Sequence, residues 1–129
     1  MSVRESAEIR LGRLELQIMN VVWQKGTATV HEVRDALKSA KTPAYSTILT
    51  MMRSLENKGY LEHTVKDRTY VYRATIAQQD VRCNVLGDVM SRLFDGSPSL
   101  LVNSLLAQKN ISDADIKQIK KLIKERDEK

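Results

Sequence analysis

Residues 42–61 read TPAYSTILTMMRSLENKGYL, the pattern of an amphipathic helix closed by a glycine. Thr42 stands where an N-cap belongs, and Pro43 at the first helical position, where its missing N–H is no loss. At about 100° per residue, Ala44, Ile48, Met51, Met52 and Leu55 share one face, which accounts for itself as core. Ser46, Thr50, Arg53 and Asn57 fall on the other face, flanked by Thr47, Leu49 and Ser54. An ordinary solvated face mixes Glu with Lys. This one carries hydroxyls, an amide and an arginine with almost no acid, which suits it to phosphates and base edges.

Two helices are expected before this one and a hairpin after it. In LGRLELQIMNVVWQKG, residues 11–26, Leu11, Leu14, Ile18 and Val22, with Leu16, Met19 and Trp23 beside them, follow helical spacing, and Gly26 ends the run. Thr29 is placed to cap a second helix, VHEVRDALKSA, with Val30, Val33, Ala36 and Leu37 on one side. Beyond Gly59 the period becomes strand-like in YLEHTV and TYVYRATI, joined by the charged turn KDR. Three helices followed by a basic-tipped hairpin form the winged variant of the helix-turn-helix. There the third helix enters the major groove and the wing, here Lys66 and Arg68, reaches the DNA backbone. Tyr45 falls at the edge of the buried face, where a core role and a phosphate contact are both open.

The formal net charge is +5. Residues 36–73 hold seven Lys and Arg against three Asp and Glu, so the basic excess gathers around the third helix and the hairpin, as a phosphate-binding surface requires. No stretch approaches the roughly 18 apolar residues of a membrane helix, and MSVRESAEIR has no apolar h-region. A cytoplasmic protein with no membrane partner is expected. No phosphate-binding glycine loop, metal-ligand spacing or nucleophile–base motif stands out, so neither an enzyme nor a cofactor is expected. His31 and His63 sit on different elements without Cys or a paired His, which argues against a metal. The single cysteine, Cys83, beside Val81 and Val85, reads as a small buried hydrophobe.

Aromatic residues make up only 5% of the 129, and a chain this short buries a modest fraction of its surface alone. In QQDVRCNVLGDVMSRLFDG, Val81, Val85, Val89 and Leu93 form a stripe too long for the chain to cover by itself. Pro98 opens another helix, apolar at Leu100, Leu101, Leu105 and Leu106. Ser112 caps a last one, with Asp115 at the capping-box position, followed by Ile116, Ile119, Leu122 and Ile123. Residues 124–129 are expected to fray. These seams read as an intermolecular helix cluster, most simply a two-fold dimer. The expected organisation is mostly α with a small β-hairpin wing: a winged helix-turn-helix domain at 1–76 and a helical dimerisation domain at 77–129.

The chain also resembles the penicillinase repressors of the BlaI, MecI and CopY type. The resemblance is carried by LELQIMNVVW in the first helix, YSTILTMMRSLENKGYL in the third and the strand pair ending in YVYRA. It implies a homodimer that binds a palindromic operator and blocks transcription, with Ser46, Thr47 and Thr50 at the DNA surface. Thr42, Tyr45, Ser46, Thr47, Leu49, Thr50, Arg53, Lys66 and Arg68 are the expected DNA-binding residues, with Leu49 suited to a thymine methyl. Val81, Val85, Val89, Leu93, Leu101, Leu105, Ile116, Ile119 and Leu122 are expected at the dimer seam. In the β-lactam-responsive members a sensor protease cuts an Asn-Phe bond; the matching pair here is Asn103 and Ser104, which lacks the bulky second residue. The Cys-rich C-terminal metal motif of the copper-responsive members is absent. Family members often have Ser or Thr where Gly12 stands, and an arginine where Ser54 stands. The alternative function is a winged-helix module that senses a ligand or binds proteins, with only non-specific DNA affinity.

Overall fold

The computed structural model describes residues 11–38 and 43–128. The chain divides into two compact units, Met1–Val85 and Leu86–Lys129.

In the first unit, α1 (Arg13–Lys25), α2 (Val30–Ala36) and α3 (Tyr45–Asn57) precede the strands β1 (Leu61–Lys66) and β2 (Thr69–Ala74). Gly12 brings no capping hydroxyl to α1, but its N–H donates to Glu15 Oε1 at 2.9 Å, so half of a capping box survives. Thr29 and Glu32 complete both halves of the box that starts α2. Helix α3 starts at Tyr45, two residues later than the sequence pattern suggests. Ala44 is extended, with ψ 152°, and supplies only the carbonyl that begins the ladder. Thr42 lies outside the described residues, as candidate cap and as candidate DNA contact. At its other end α3 closes in a Schellman arrangement: Tyr60 N–H reaches the Leu55 carbonyl and Gly59 N–H that of Glu56. Gly59 has φ +86° there, which permits the abrupt turn into β1.

The strands pair antiparallel from Leu61↔Ala74 to Lys66↔Thr69, so Asp67 and Arg68 form a two-residue turn. Both have positive φ, 49° and 67°, as this tightest class of hairpin turn demands, although Gly or Asn is the usual choice. A further pairing joins β2 to the link between α1 and α2, where Ala28 and Tyr72 exchange N–H···O bonds of 2.9 and 2.8 Å. That link reads in sequence as a plain loop. Ile18, Met19 and Val22 from α1, Val30 and Val33 from α2, Ile48, Met52 and Leu55 from α3, and Leu61 and Tyr72 from the hairpin form one core. Each fully buried aliphatic side chain there contributes roughly 1.5–3 kcal/mol. Trp23, half-buried, donates its indole N–H to the Ile76 carbonyl at 2.9 Å and ties α1 to the end of the hairpin.

Helix α4 (Gln78–Leu93) contains the division between the units. Val81, placed by the sequence pattern in the dimer seam, is 2% exposed and belongs to the first unit's core. Its side chain has no surface left for a partner, because the first turn of α4 packs as the last element of that core. Val85 is exposed. Cys83 is exposed rather than buried, with Gln79 Nε2 3.5 Å from its sulfur; two residues beyond Val81, it lies about 200° around the helix, on the side away from the core.

In the second unit, α5 (Pro98–Leu106) is capped by Ser97, whose hydroxyl accepts from Leu100 N–H at 3.2 Å. Helix α6 (Asp113–Asp127) opens on a complete box: Ser112 Oγ accepts from Asp115 N–H, and Asp115 accepts from Ser112 N–H. These bonds, the Ser112 backbone N–H first, hold the Asp115 carboxyl below its ordinary pKa. The helix stays regular to Asp127, past the expected fraying point, with Lys121 and Glu125 3.9 Å apart across one turn. No described residue of this unit is buried. Val89, Leu101, Ile116 and Ile119 are half-buried, whereas Leu93 is 76%, Leu105 45% and Leu122 55% exposed. Among the described residues, no helix is long and apolar enough to cross a membrane.

Candidate nucleic-acid interface

Helix α3 buries Ile48, Met52 and Leu55 and leaves Tyr45, Ser46, Thr47, Thr50 and Arg53 exposed. Leu49 is half-buried: it packs on the core and also lines a cleft beside the helix. The cleft has a volume of about 260 Å³ and draws on three elements. Tyr45, Leu49 and Arg53 come from α3, Thr29, Val30 and His31 from the start of α2, and Arg68, Thr69 and Tyr70 from the hairpin. Among the described residues, two guanidinium groups line it and no carboxylate does.

The structure thus brings four of the expected DNA-binding residues, Tyr45, Leu49, Arg53 and Arg68, to one concave surface, although fifteen positions separate the two arginines. Ser46, Thr47 and Thr50 lie exposed on α3 outside its lining, and Lys66, also exposed, is not part of it. Of the two basic residues at the hairpin tip, Arg68 is the one facing α3. Thr29, His31, Thr69 and Tyr70 were not expected there. The period of two along β2 is the signal that finds Tyr70, since it shares a face with buried Tyr72.

Packing between rings shapes the walls. His31 lies against Tyr45 with centroids 4.6 Å apart, so Tyr45 stands on α2 rather than in the core. His63 stacks on Tyr70 at 3.9 Å with an 8° interplanar angle. Beneath them Tyr72 is fully buried, and among the described residues its hydroxyl has no hydrogen-bond partner. Burial, with the charge of Glu56 adding to it against that of Arg53, pushes its pKa above the usual phenol value. It stays protonated.

Side-chain contacts fix the C-terminal end of α3. Lys58 Nζ is 2.8 Å from Glu15 Oε2, and Glu15 is only 8% exposed. Burial alone raises the Glu15 pKa, but the Lys58 hydrogen bond, the Gly12 N–H and the Lys58 charge outweigh it, and the net shift is downward. Glu56 is held by His63, whose Nδ1 is 2.7 and 2.8 Å from its two carboxylate oxygens. No group of three potential metal ligands occurs among the described residues.

The profile of the penicillinase repressor family matches residues 11–125. The chain is 27% identical over 111 residues to the penicillinase repressor of Bacillus licheniformis, covering 86% of this chain and 87% of that one. It is 18% identical over 109 residues to the methicillin resistance regulatory protein MecI of Staphylococcus aureus, covering 84% and 89%. In structure it is similar to the DNA binding domain of the repressor BlaI, with TM-score 0.51 and 31% identity over 57% of this chain and 90% of that one. A mutant MarR from E.coli shares the fold, with TM-score 0.51 and 14% identity over 89% and 76%. With a winged helix-turn-helix that exposes an arginine-lined cleft, and with the family profile spanning nearly its whole length, the chain belongs to the penicillinase repressor family and is a DNA-binding transcriptional repressor, not an enzyme.

Proposed function

We propose that the chain represses transcription as a homodimer on a palindromic operator, each protomer laying α3 in the major groove. The observation that carries this reading is the cleft joining α3 to the wing: among the described residues, Arg53 and Arg68 face it and no acidic residue does. Ser46, Thr47 and Thr50, exposed on the same helix, meet base edges and sugar–phosphate groups. Tyr45 and Lys66 serve the backbone, and Leu49 offers a methyl surface to a thymine at the cleft floor. The likeness to the DNA binding domain of BlaI supports the assignment to this unit.

The second unit favours the dimer because it has no interior of its own. Val89, Leu101, Ile116 and Ile119 are half-buried, and Leu93, Leu105 and Leu122 stand in solvent beside Leu100, Leu106 and Ile123. A second copy is the occupant that covers the same faces on both chains at once. Val85, on the exposed side of α4, extends that surface; Val81 does not. Dimerisation makes the second half-site contact effectively intramolecular, so its loss costs the operator. By family resemblance, release follows a cut between Asn103 and Ser104 by a sensor protease. Both residues are exposed but sit inside α5, so the helix must open locally before a protease strand can engage them.

Titration of the DNA upstream of the protein's own gene, against scrambled DNA and across salt, tests this. Two protomers per site, a preference for the upstream sequence and a steep salt slope are expected. Equal affinity for both DNAs at every salt concentration overturns it.

A further inference from the structure

Glu56 lies one helical turn beyond Arg53 on α3. Residues three apart on a helix are neighbours, and a glutamate in that place ordinarily pairs with the arginine and spends its charge. Here the pair does not form. Both Glu56 oxygens lie within 2.8 Å of His63 Nδ1, across on β1. A carboxylate offers only lone pairs, so the ring nitrogen facing it carries the hydrogen whether the imidazole is neutral or charged. The ring's flat side is stacked on Tyr70 at 3.9 Å, and Tyr70 lines the cleft with Arg53 and Arg68. Neither arginine has an ion-pair partner among the described residues.

We infer that His63 is a positioning residue for DNA binding: by holding the Glu56 carboxylate and stacking on Tyr70, it leaves Arg53 unneutralised and fixes the wing side of the cleft. The inference rests on reading the cleft as the DNA-binding surface. Its physical content is a choice of partner. The Glu56 carboxylate goes either to the wing or to Arg53, and only the first leaves two full positive charges facing a DNA strand. The hairpin register makes the choice possible, since His63 stands opposite Tyr72 and diagonal to Tyr70, beside the last turn of α3.

Four full-length variants test it: His63→Phe, Glu56→Gln, their combination, and Arg53→Ala, each checked for wild-type circular dichroism and melting. His63→Phe keeps a ring on Tyr70 but releases the carboxylate. It is expected to weaken binding to the upstream DNA about threefold to tenfold and to lower the salt slope by up to about one. Glu56→Gln alone binds as wild type or better. Adding Glu56→Gln to His63→Phe returns affinity and slope to near wild type, which no purely structural role of His63 predicts. If the double variant is as weak as His63→Phe, or if His63→Phe binds as wild type, the inference falls while the cleft reading stands. If Arg53→Ala leaves binding unchanged, the cleft reading falls and takes the inference with it.

Discussion

Replacing Glu15 is expected to loosen the whole first unit, because its carboxylate ties the start of α1 to the C-cap of α3. It accepts from Gly12 N–H at 2.9 Å and from Lys58 Nζ at 2.8 Å while only 8% exposed. The helix-start bond is worth about 1 kcal/mol, by comparison with N-cap deletions. Lys58 is 44% exposed, so solvent screens its share to about 0.5–1 kcal/mol. Glu15→Ala therefore costs roughly 2 kcal/mol, about a 10 °C loss of Tm for a unit of this size. Glu15→Gln keeps an acceptor for Gly12 and loses about half as much. The pH dependence follows from the lowered pKa. The unfolded chain takes up the proton more readily than the folded one, so this stability is fully present above the ordinary Glu value and is lost as pH falls through the folded pKa. Thermal melts of wild type and Glu15→Gln, followed by circular dichroism between about pH 7 and about pH 3.5, are expected to converge on acidification. A gap as wide at the acid end as at neutrality refutes the ion-pair account.

Arg68→Gly relieves a positive φ of 67° at the wing tip and is expected to stabilise the fold by about 0.5–1 kcal/mol while weakening DNA binding several-fold. Melting and titration of the same sample check that the two effects run in opposite directions. Tyr72→Phe removes a buried hydroxyl without a partner among the described residues and is expected to leave stability unchanged or raise it by about 1 kcal/mol; a loss of more than about 1 kcal/mol in urea titration means that the hydroxyl is bonded. Val81→Ala, in the first unit's core, is expected to cost about 2 kcal/mol with the oligomeric state intact. Leu122→Glu, exposed on α6, is expected to split the proposed dimer in sedimentation experiments while the first unit's melting is kept.

Elements with a strong local cause were legible in the sequence. Thr29 and Glu32 announce the start of α2, Ser112 and Asp115 that of α6, and Gly59 the turn into β1, because each acts within a few residues of itself. The start of α3 departs from the pattern because Pro at a first helical position is only a permission; Ala44 is extended and the helix begins one residue after it. Val81 departs from expectation for a different reason. It lies on the same helical stripe as Val85, Val89 and Leu93, and periodicity finds an apolar face without saying what covers it. The core of the first unit claims the first residue of that stripe, and the later ones are left half-buried or exposed.

The cleft shows the same limit in its charges. Counting them around α3 finds a basic excess without saying which of them are paired. Which of those charges is free depends on contacts made across elements. Lys58 is spent on Glu15 from α1 and Glu56 on His63 from β1, while Arg53 and Arg68 keep theirs. A net charge of +5 thus describes the surface less well than the pairing does. The fold ties up a lysine and a glutamate on α3, and what it leaves facing the cleft is two arginines whose planar guanidinium groups suit the bidentate grip of phosphate.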